Sequence, residues 1–183
     1  TRDWSPEICE ALGVDPTWLP QVHESSEMVG TITAEAAALT GLPEGTPVVA
    51  GAGDQAASGL ACGVTKPGLV SVTIGTSGVV FAHADSPPRD PTGSLHGFCH
   101  AIEGKWHSMG CMLSAGGSLE WYRNTVAPDL SYEQLIEEDC GSDSDGLCFL
   151  PYLSGERCPH YDPQASGAFI GIVKRHTRAN MTN

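Results

Sequence analysis

The 183-residue chain is long enough for one globular domain or for parts of two. Its 40% hydrophobic and 17% charged residues are typical of a folded protein and exclude an intrinsically disordered one. The net charge of −13, with only nine lysines and arginines, repels phosphate backbones and anionic lipids, so nucleic-acid and membrane partners are not expected.

Cysteine usage indicates the compartment. The seven cysteines form no C-x-x-C motif and show no paired spacing, as expected for free thiols in a reducing environment. The sequence shows neither a signal peptide nor an apolar run long enough to cross a bilayer. These features predict a cytoplasmic protein.

Two short helices are predicted first. Ser5 can cap a helix that has Pro6 at its first position and that stops near Gly13. Thr33 can cap a second helix, which ends at Gly41. Residues 14–28, between these helices, are interrupted by prolines and are predicted to be mostly loop.

The next segment leads to a change in composition. The apolar run at residues 46–50 predicts a buried strand, and the small residues after Asp54 predict a tightly packed helix up to Gly63. The Lys-Pro-Gly sequence at 66–68 marks a break. We therefore expect a domain junction there, with one domain part over residues 1–66 and another over 67–183.

Two hairpins follow the junction. Residues 69–74 and 79–83 are predicted strands around the small-residue turn at 75–78. Residues 96–102 and 105–109 are predicted to form the second pair. Hairpins interspersed with helices predict an α/β fold with a mixed α+β sheet rather than an all-parallel one. The remaining predicted elements are a helix after residues 114–118, a helix with a capping box at Ser131 and Gln134, strands at 147–153 and 168–173, and a helix from Thr177.

Two glycine-bearing loops carry the chemistry. The first presents Asp54 in Gly-Ala-Gly-Asp-Gln, and the second is Gly75-Thr76-Ser77-Gly78. An acid at one strand end and a small-residue loop at another suit a site where backbone amides meet phosphate. The first loop also fits the G-x-G-x-x-A dinucleotide motif, but no Asp or Glu lies between Gln55 and Ala84 to bind the ribose. A plain turn at the glycines and a helix cap at Asp54 remain alternatives.

Five sequence blocks in the same order resemble the FGGY carbohydrate kinases, most closely the xylulokinase branch. They are GAGDQAASG, VSVTIGTSGVV, SAGGSLEWYRN, FLPYLSGERCPHYDP and GAFIGIVKRHTRANM. The resemblance implies the actin-like, ribonuclease-H-like fold, with parts of its two domains. It also implies that the chain is the central segment of a longer kinase, so we expect these 183 residues alone to be inactive.

The resemblance further implies ATP-dependent phosphorylation of a sugar hydroxyl, with ATP and Mg²⁺ and with D-xylulose as acceptor. Asp54 matches the general base, and Gln55 matches a sugar-contacting position. The positions that match nucleotide-contacting residues of the family are Gly75, Thr76, Ser77, Gly116, Gly117 and Glu120. The family also includes gluconate, ribulose and glycerol kinases, and a non-catalytic actin-like nucleotide-binding module is an alternative of another class. A homodimer is the assembly we consider.

Other polar residues are given structural roles. Glu156 and Arg157 are expected to form an ion pair with Asp162, although they match a loop near the family's cleft. Glu120 is equally consistent with an exposed helix acid. The histidines show no metal-ligand spacing and are expected in the core or on the surface. They are His23, His83, His96, His100, His107, His160 and His176.

Overall fold

The computed structural model describes residues 2–139 and 143–183, apart from the side chain of Asp139. The first elements in chain order are α1 (Pro6–Leu12), a 3₁₀ turn (Pro16–Trp18), β1 (Met28–Thr31), α2 (Ala34–Thr40), β2 (Pro47–Val49) and α3 (Asp54–Ala61). The sheet region follows with β3 (Val70–Ile74), β4 (Gly78–Ala84), β5 (His96–Cys99) and β6 (Trp106–Met112). The last elements are α4 (Gly116–Val126), α5 (Tyr132–Asp139), β7 (Cys148–Leu150), β8 (Ala168–Ile170) and α6 (Arg178–Thr182).

The predicted helix caps of α1 and α2 are confirmed. The Ser5 hydroxyl accepts a hydrogen bond from the Ile8 amide, and Gly13 ends α1 in the left-handed conformation. Thr33 caps α2 through the Ala36 amide, and Gly41 is left-handed in the same way. Local side-chain chemistry therefore determines where these helices begin and end.

The first strand pair contains one strand that was not predicted and one whose predicted burial is wrong. Met28–Thr31 begins where the predicted loop ends, and it pairs with Pro47–Val49 in an antiparallel two-stranded sheet with a register irregularity. The predicted burial of β2 is wrong, because all three of its residues are exposed. Its one partner strand in the described chain is β1, whose residues are exposed as well. The pairing therefore does not bury either strand.

Both predicted hairpins are confirmed as neighbours in a four-stranded sheet with the order β3-β4-β6-β5. The capping box before α5 is also confirmed, because Ser131 and Gln134 exchange side-chain-to-main-chain hydrogen bonds. The β7-β8 pair is antiparallel, as is β1-β2. The predicted α/β class is therefore confirmed, and the β1-β2 and β7-β8 pairs within it are antiparallel.

The chain divides into two compact units. Unit 1 consists of Thr1–Ser71, Phe81–Arg89 and Gly97–Ser108, and unit 2 of Val72–Val80, Asp90–His96 and Met109–Asn183. In unit 1 the buried residues include Phe81 and three histidines. In unit 2 a core cluster of Tyr122, Ala127 and Leu135 is packed against Phe169 and Met181, among others. The domain boundary at 66/67 concerns a longer protein and stays a prediction.

Candidate active site

Asp54 is the first residue of α3, and its side chain is exposed. Its Oδ1 accepts a hydrogen bond of 2.7 Å from the Gln55 amide, whereas its second carboxyl oxygen has no partner among the described residues. The N-cap is Gly53, and no side chain caps the helix. Asp54 therefore does not act as the helix cap, and it presents a free carboxyl oxygen to solvent. Gln55 is half-buried beside it.

The helix behind Asp54 is held by close packing, as its small residues predict. A Cβ at Gly59 would lie 2.4 Å from Cε1 of Phe81, which is closer than carbon atoms can approach. Phe81 is 1% exposed, and Ala56 is buried on the same helix. The helix can occupy this position because residue 59 has no side chain.

The turn between β3 and β4 contains hydrogen-bond donors that have no partner among the described residues. The Gly75 amide closes the turn by donating to the Ser77 carbonyl at 2.9 Å. The amides and hydroxyls of Thr76 and Ser77 have no partner in the part of the chain that the structure describes. Gly75 and Thr76 are exposed, and Ser77 is half-buried. Phosphate oxygens can accept hydrogen bonds from two amides and two hydroxyls grouped in one turn in this way.

The start of α4 holds this turn in place. The Ala115 and Gly117 amides donate to the Thr76 carbonyl at 2.9 and 3.0 Å, and the Gly116 amide donates to the Gly75 carbonyl at 2.8 Å. Three donors at the start of a helix, which lack partners within the helix itself, are thus satisfied by the turn. Contact of Gly116 and Gly117 with a nucleotide stays a prediction, but their amide groups already bind the turn.

The glycines of this assembly differ in how closely they are packed. The φ of Gly75 is not left-handed, and a Cβ there would meet only the Ser77 carbonyl oxygen, at 3.8 Å. A Cβ at Gly116 would instead lie 2.6 Å from the Gly75 carbonyl oxygen. Gly116 therefore allows the helix to approach the turn, whereas Gly75 faces open space in the free protein.

The structure places the predicted site residues in both units. Asp54 and Gln55 belong to unit 1. Gly75, Thr76 and Ser77 belong to unit 2 and are joined there to Gly116 and Gly117. Glu120 also lies in unit 2, exposed on α4. Its nucleotide contact stays a prediction.

A buried carboxyl near the end of β6 was missed. Glu156 is 3% exposed, and its Oε1 accepts hydrogen bonds from the Leu113 and Arg157 amides at 3.1 and 2.7 Å. The expected ion pair with Asp162 is wrong, because Arg157 forms no salt bridge with a described residue. Glu156 and Asp162 are joined instead by main-chain bonds of 2.9 Å in both directions. The LSGER sequence gives no local signal for this, since Leu113 is 43 residues away.

Three buried histidines form a cluster around Phe81 in unit 1. His107 stacks on Phe81 with ring centroids 4.3 Å apart, and His83 lies 5.1 Å from His100. His100 donates from Nε2 to the Val64 carbonyl and accepts at Nδ1 from the Ile102 amide, a pattern that requires the neutral ring. The core role expected for these histidines is thus confirmed.

Burial lowers the pKa of both His100 and His107. In His107 the electrostatic interaction with His100 lowers the pKa further. Among the residues that the structure describes, no group of three or more His, Cys, Asp or Glu side chains could hold a metal ion. In the same residues no helix is long and apolar enough to cross a membrane.

Comparison with known proteins identifies the family. Residues 1–61 match the N-terminal domain, and residues 70–183 the C-terminal domain, of the FGGY family of carbohydrate kinases. The chain is 38% identical over 97% of its length to the xylulose kinase of Bacillus subtilis, and 33% identical over 98% to the gluconokinase of the same organism. It spans 36% and 37% of the lengths of these relatives.

A crystal structure of xylulose kinase from Rhodospirillum rubrum superposes with a TM-score of 0.87 at 34% identity, covering 98% of this chain and 37% of the other. The fold is therefore the predicted one, part of the actin-like ATPase fold. The chain belongs to the FGGY family of carbohydrate kinases.

Proposed function

We propose that this chain is the central part of a kinase that transfers the γ-phosphoryl group of ATP to D-xylulose and forms D-xylulose 5-phosphate. The relatives named xylulose kinase support D-xylulose as the acceptor. We assign residues 1–66 to the sugar-binding domain and residues 67–183 to the nucleotide-binding domain. The six described cysteines are all free thiols, which supports a cytoplasmic location.

Phosphate binding is supported most directly by the turn at residues 75–77. Its two amides and two hydroxyls have no partner in the described chain, and α4 holds the turn by three hydrogen bonds. Phosphoryl transfer depends mainly on positioning and on neutralising negative charge. The turn can position the phosphates of ATP through its donors, and Gly75 leaves space for them. Glu120 on α4 is proposed as a further nucleotide contact.

Magnesium fits this scheme as a companion of the nucleotide. The described residues hold no cluster of acids that could bind a metal by themselves. Mg²⁺ commonly binds substrate phosphates with few protein ligands and several waters. It would neutralise phosphate charge in this acidic protein, so ATP is treated as its Mg²⁺ complex.

Asp54 is proposed as the general base. It accepts the proton of the attacking sugar hydroxyl as that oxygen bonds to the γ-phosphorus and the bond to the ADP oxygen breaks. The second carboxyl oxygen of this exposed residue suits the task, because it has no hydrogen-bond partner in the described ranges. Gln55, half-buried next to it, is proposed to contact the sugar.

A panel of acceptors tests the proposal. The full-length protein is assayed with Mg²⁺-ATP and D-xylulose, D-ribulose, D-gluconate or glycerol, with ADP release as the readout. We expect the highest kcat/KM with D-xylulose. A preference for D-gluconate, which the 33% identity to a gluconokinase makes the second candidate, would correct the acceptor. Nucleotide binding without ADP release for any acceptor would support a non-catalytic module.

A further inference from the structure

Glu156 is a buried acid without a cationic partner. It is 3% exposed, and it forms no ion pair with a lysine, arginine or histidine of the described chain. A buried carboxyl is costly unless hydrogen bonds compensate it. The amides of Leu113 and Arg157 supply these bonds, both to Oε1. The side chain is therefore anchored by its bonds to the main chain.

The loop that carries Glu156 is fixed by its own contacts. Main-chain bonds of 2.9 Å in both directions join Glu156 to Asp162, and the Cys158 amide donates to the Cys111 carbonyl at 3.2 Å. Gly155 is left-handed, and a Cβ there would lie 2.7 Å from the Pro163 carbonyl oxygen. The carboxyl therefore reaches the end of β6 from a loop with little freedom to move.

Leu113 lies between the end of β6 and the start of α4. It follows the last residue of β6, Met112, and lies two residues before the first of the three amides that hold the phosphate-facing turn. Ala115, Gly116 and Gly117 provide those amides, over distances of 2.8–3.0 Å. A shift of Leu113 would move these amides with it, because only Ser114 separates Leu113 from Ala115. The buried Ser114 carbonyl is itself bonded to the Ser118 hydroxyl at 2.9 Å.

We propose that Glu156 is a positioning residue for nucleotide binding. Its carboxyl fixes Leu113, Leu113 fixes the start of α4, and the start of α4 fixes Gly75 and Thr76 where they meet phosphate. This inference rests on the proposed function of the turn. Without the carboxyl, the Leu113 and Arg157 amides lose their acceptor, and the segment must rearrange to find water or another partner.

Three substitutions at residue 156 in the full-length protein test the inference. Glu156→Gln keeps an oxygen that can accept from both amides, so KM for Mg²⁺-ATP should stay within about twofold of wild type. Glu156→Ala removes the acceptor, and KM for Mg²⁺-ATP should rise at least about fivefold, with about 100-fold as the upper bound for a displaced group. KM for the sugar should change by less than about twofold in both variants, because the turn contacts only the nucleotide.

A matched control separates positioning from general destabilisation. Leu135→Ala creates a cavity in the core cluster of the same unit, so it should lower Tm without changing KM for Mg²⁺-ATP. If Glu156→Ala does not fold, Glu156→Asp replaces it, since the shorter side chain cannot reach Leu113 without movement. An unchanged KM in the folded Ala or Asp variant overturns the inference. A rise as large in the Gln variant or in Leu135→Ala overturns it too.

Gly75→Val distinguishes this failure from failure of the proposed function. The added side chain faces open space in the free protein and would meet a bound phosphate. If it raises KM for Mg²⁺-ATP and Glu156→Ala does not, only the positioning role is wrong. If Gly75→Val leaves this KM unchanged, the turn does not face the nucleotide and the proposed function of the turn is wrong.

Discussion

Asp54 and the turn at residues 75–77 differ in the groups through which they act and in how firmly the surrounding structure holds them. Asp54 acts through a side chain whose one hydrogen bond in the described chain is to the neighbouring amide. The turn acts through its main chain, and α4 holds it by three hydrogen bonds. A substitution at Asp54 should therefore lower the reaction rate and leave the fold and its stability unchanged. A substitution beside the turn should disturb the structure first and binding as a consequence.

The largest expected effect is that of Asp54→Asn in the full-length protein. Loss of a general base lowers kcat by roughly 10²–10⁴, and KM for both substrates should move little because the loss falls in the transition state. Tm should stay within about 2 °C of wild type, because Asn can still accept from the Gln55 amide. Steady-state kinetics and a melting curve measure both quantities.

Glu35→Gln is the control for this change. Glu35 also lies in the first turn of a helix in unit 1, so the substitution removes the same charge near a helix N-terminus. It should leave kcat unchanged. Near wild-type turnover in a stable Asp54→Asn protein would remove Asp54 from the mechanism.

The second prediction compares the stability of Gly116→Ala with that of Gly75→Ala. The two residues are joined by the hydrogen bond from the Gly116 amide to the Gly75 carbonyl. The methyl group at 116 meets the Gly75 carbonyl oxygen at 2.6 Å, and overpacking of this kind destabilises by about 1–3 kcal/mol. The methyl group at 75 has no neighbour closer than 3.8 Å, so the free energy of unfolding should change by less than about 0.5 kcal/mol.

Both alanine variants should raise KM for Mg²⁺-ATP, Gly116→Ala by moving the turn and Gly75→Ala by crowding the phosphate. Urea unfolding and steady-state kinetics of the two proteins provide the test. Equal losses of stability would show that the turn and α4 are not as closely joined as described.

The smallest effect is expected from a change of pH, which should alter the stability of unit 1. The pKa of His100 and of His107 is lowered by burial, whereas unfolded histidine titrates near 6.5. The unfolded state therefore binds more protons below about pH 6.5, and stability falls as the pH is lowered through this range. Above about pH 7 the two histidines are mostly neutral in both the folded and the unfolded protein, so this contribution changes little. The pKa of the nearby Asp85 carboxyl is lowered mainly by the Lys105 hydrogen bond, so Asp85 acts only at lower pH.

Hydrogen exchange at pH 7.5 and 5.5 measures this dependence in each unit. Amides around His100 and His107 should lose protection at pH 5.5, and those of the Leu135 core should not. His107→Phe keeps an aromatic ring against Phe81 and removes one titrating group, so it should reduce the difference. An unchanged pH dependence in this variant would show that His107 does not titrate as described.

The sequence predicted well what short-range chemistry determines. Caps at Ser5 and Thr33 and the box at Ser131 involve partners only three residues away, so they are visible in the sequence itself. The Glu156 bond to Leu113 and the contact of Gly116 with Gly75 join residues 43 and 41 positions apart. Such contacts depend on how strands and loops are brought together, and a single sequence carries no local pattern for them.

The position of β3 has a consequence for self-association. It lies at the edge of the four-stranded sheet, and Val70, Val72 and Ile74 on its one face are 54%, 66% and 74% exposed. The strand VSVTI contains no charge and no proline, the two features by which natural edge strands resist pairing with another chain. When the 183-residue chain is produced by itself, this edge can template intermolecular β-pairing, so aggregation should rise with concentration.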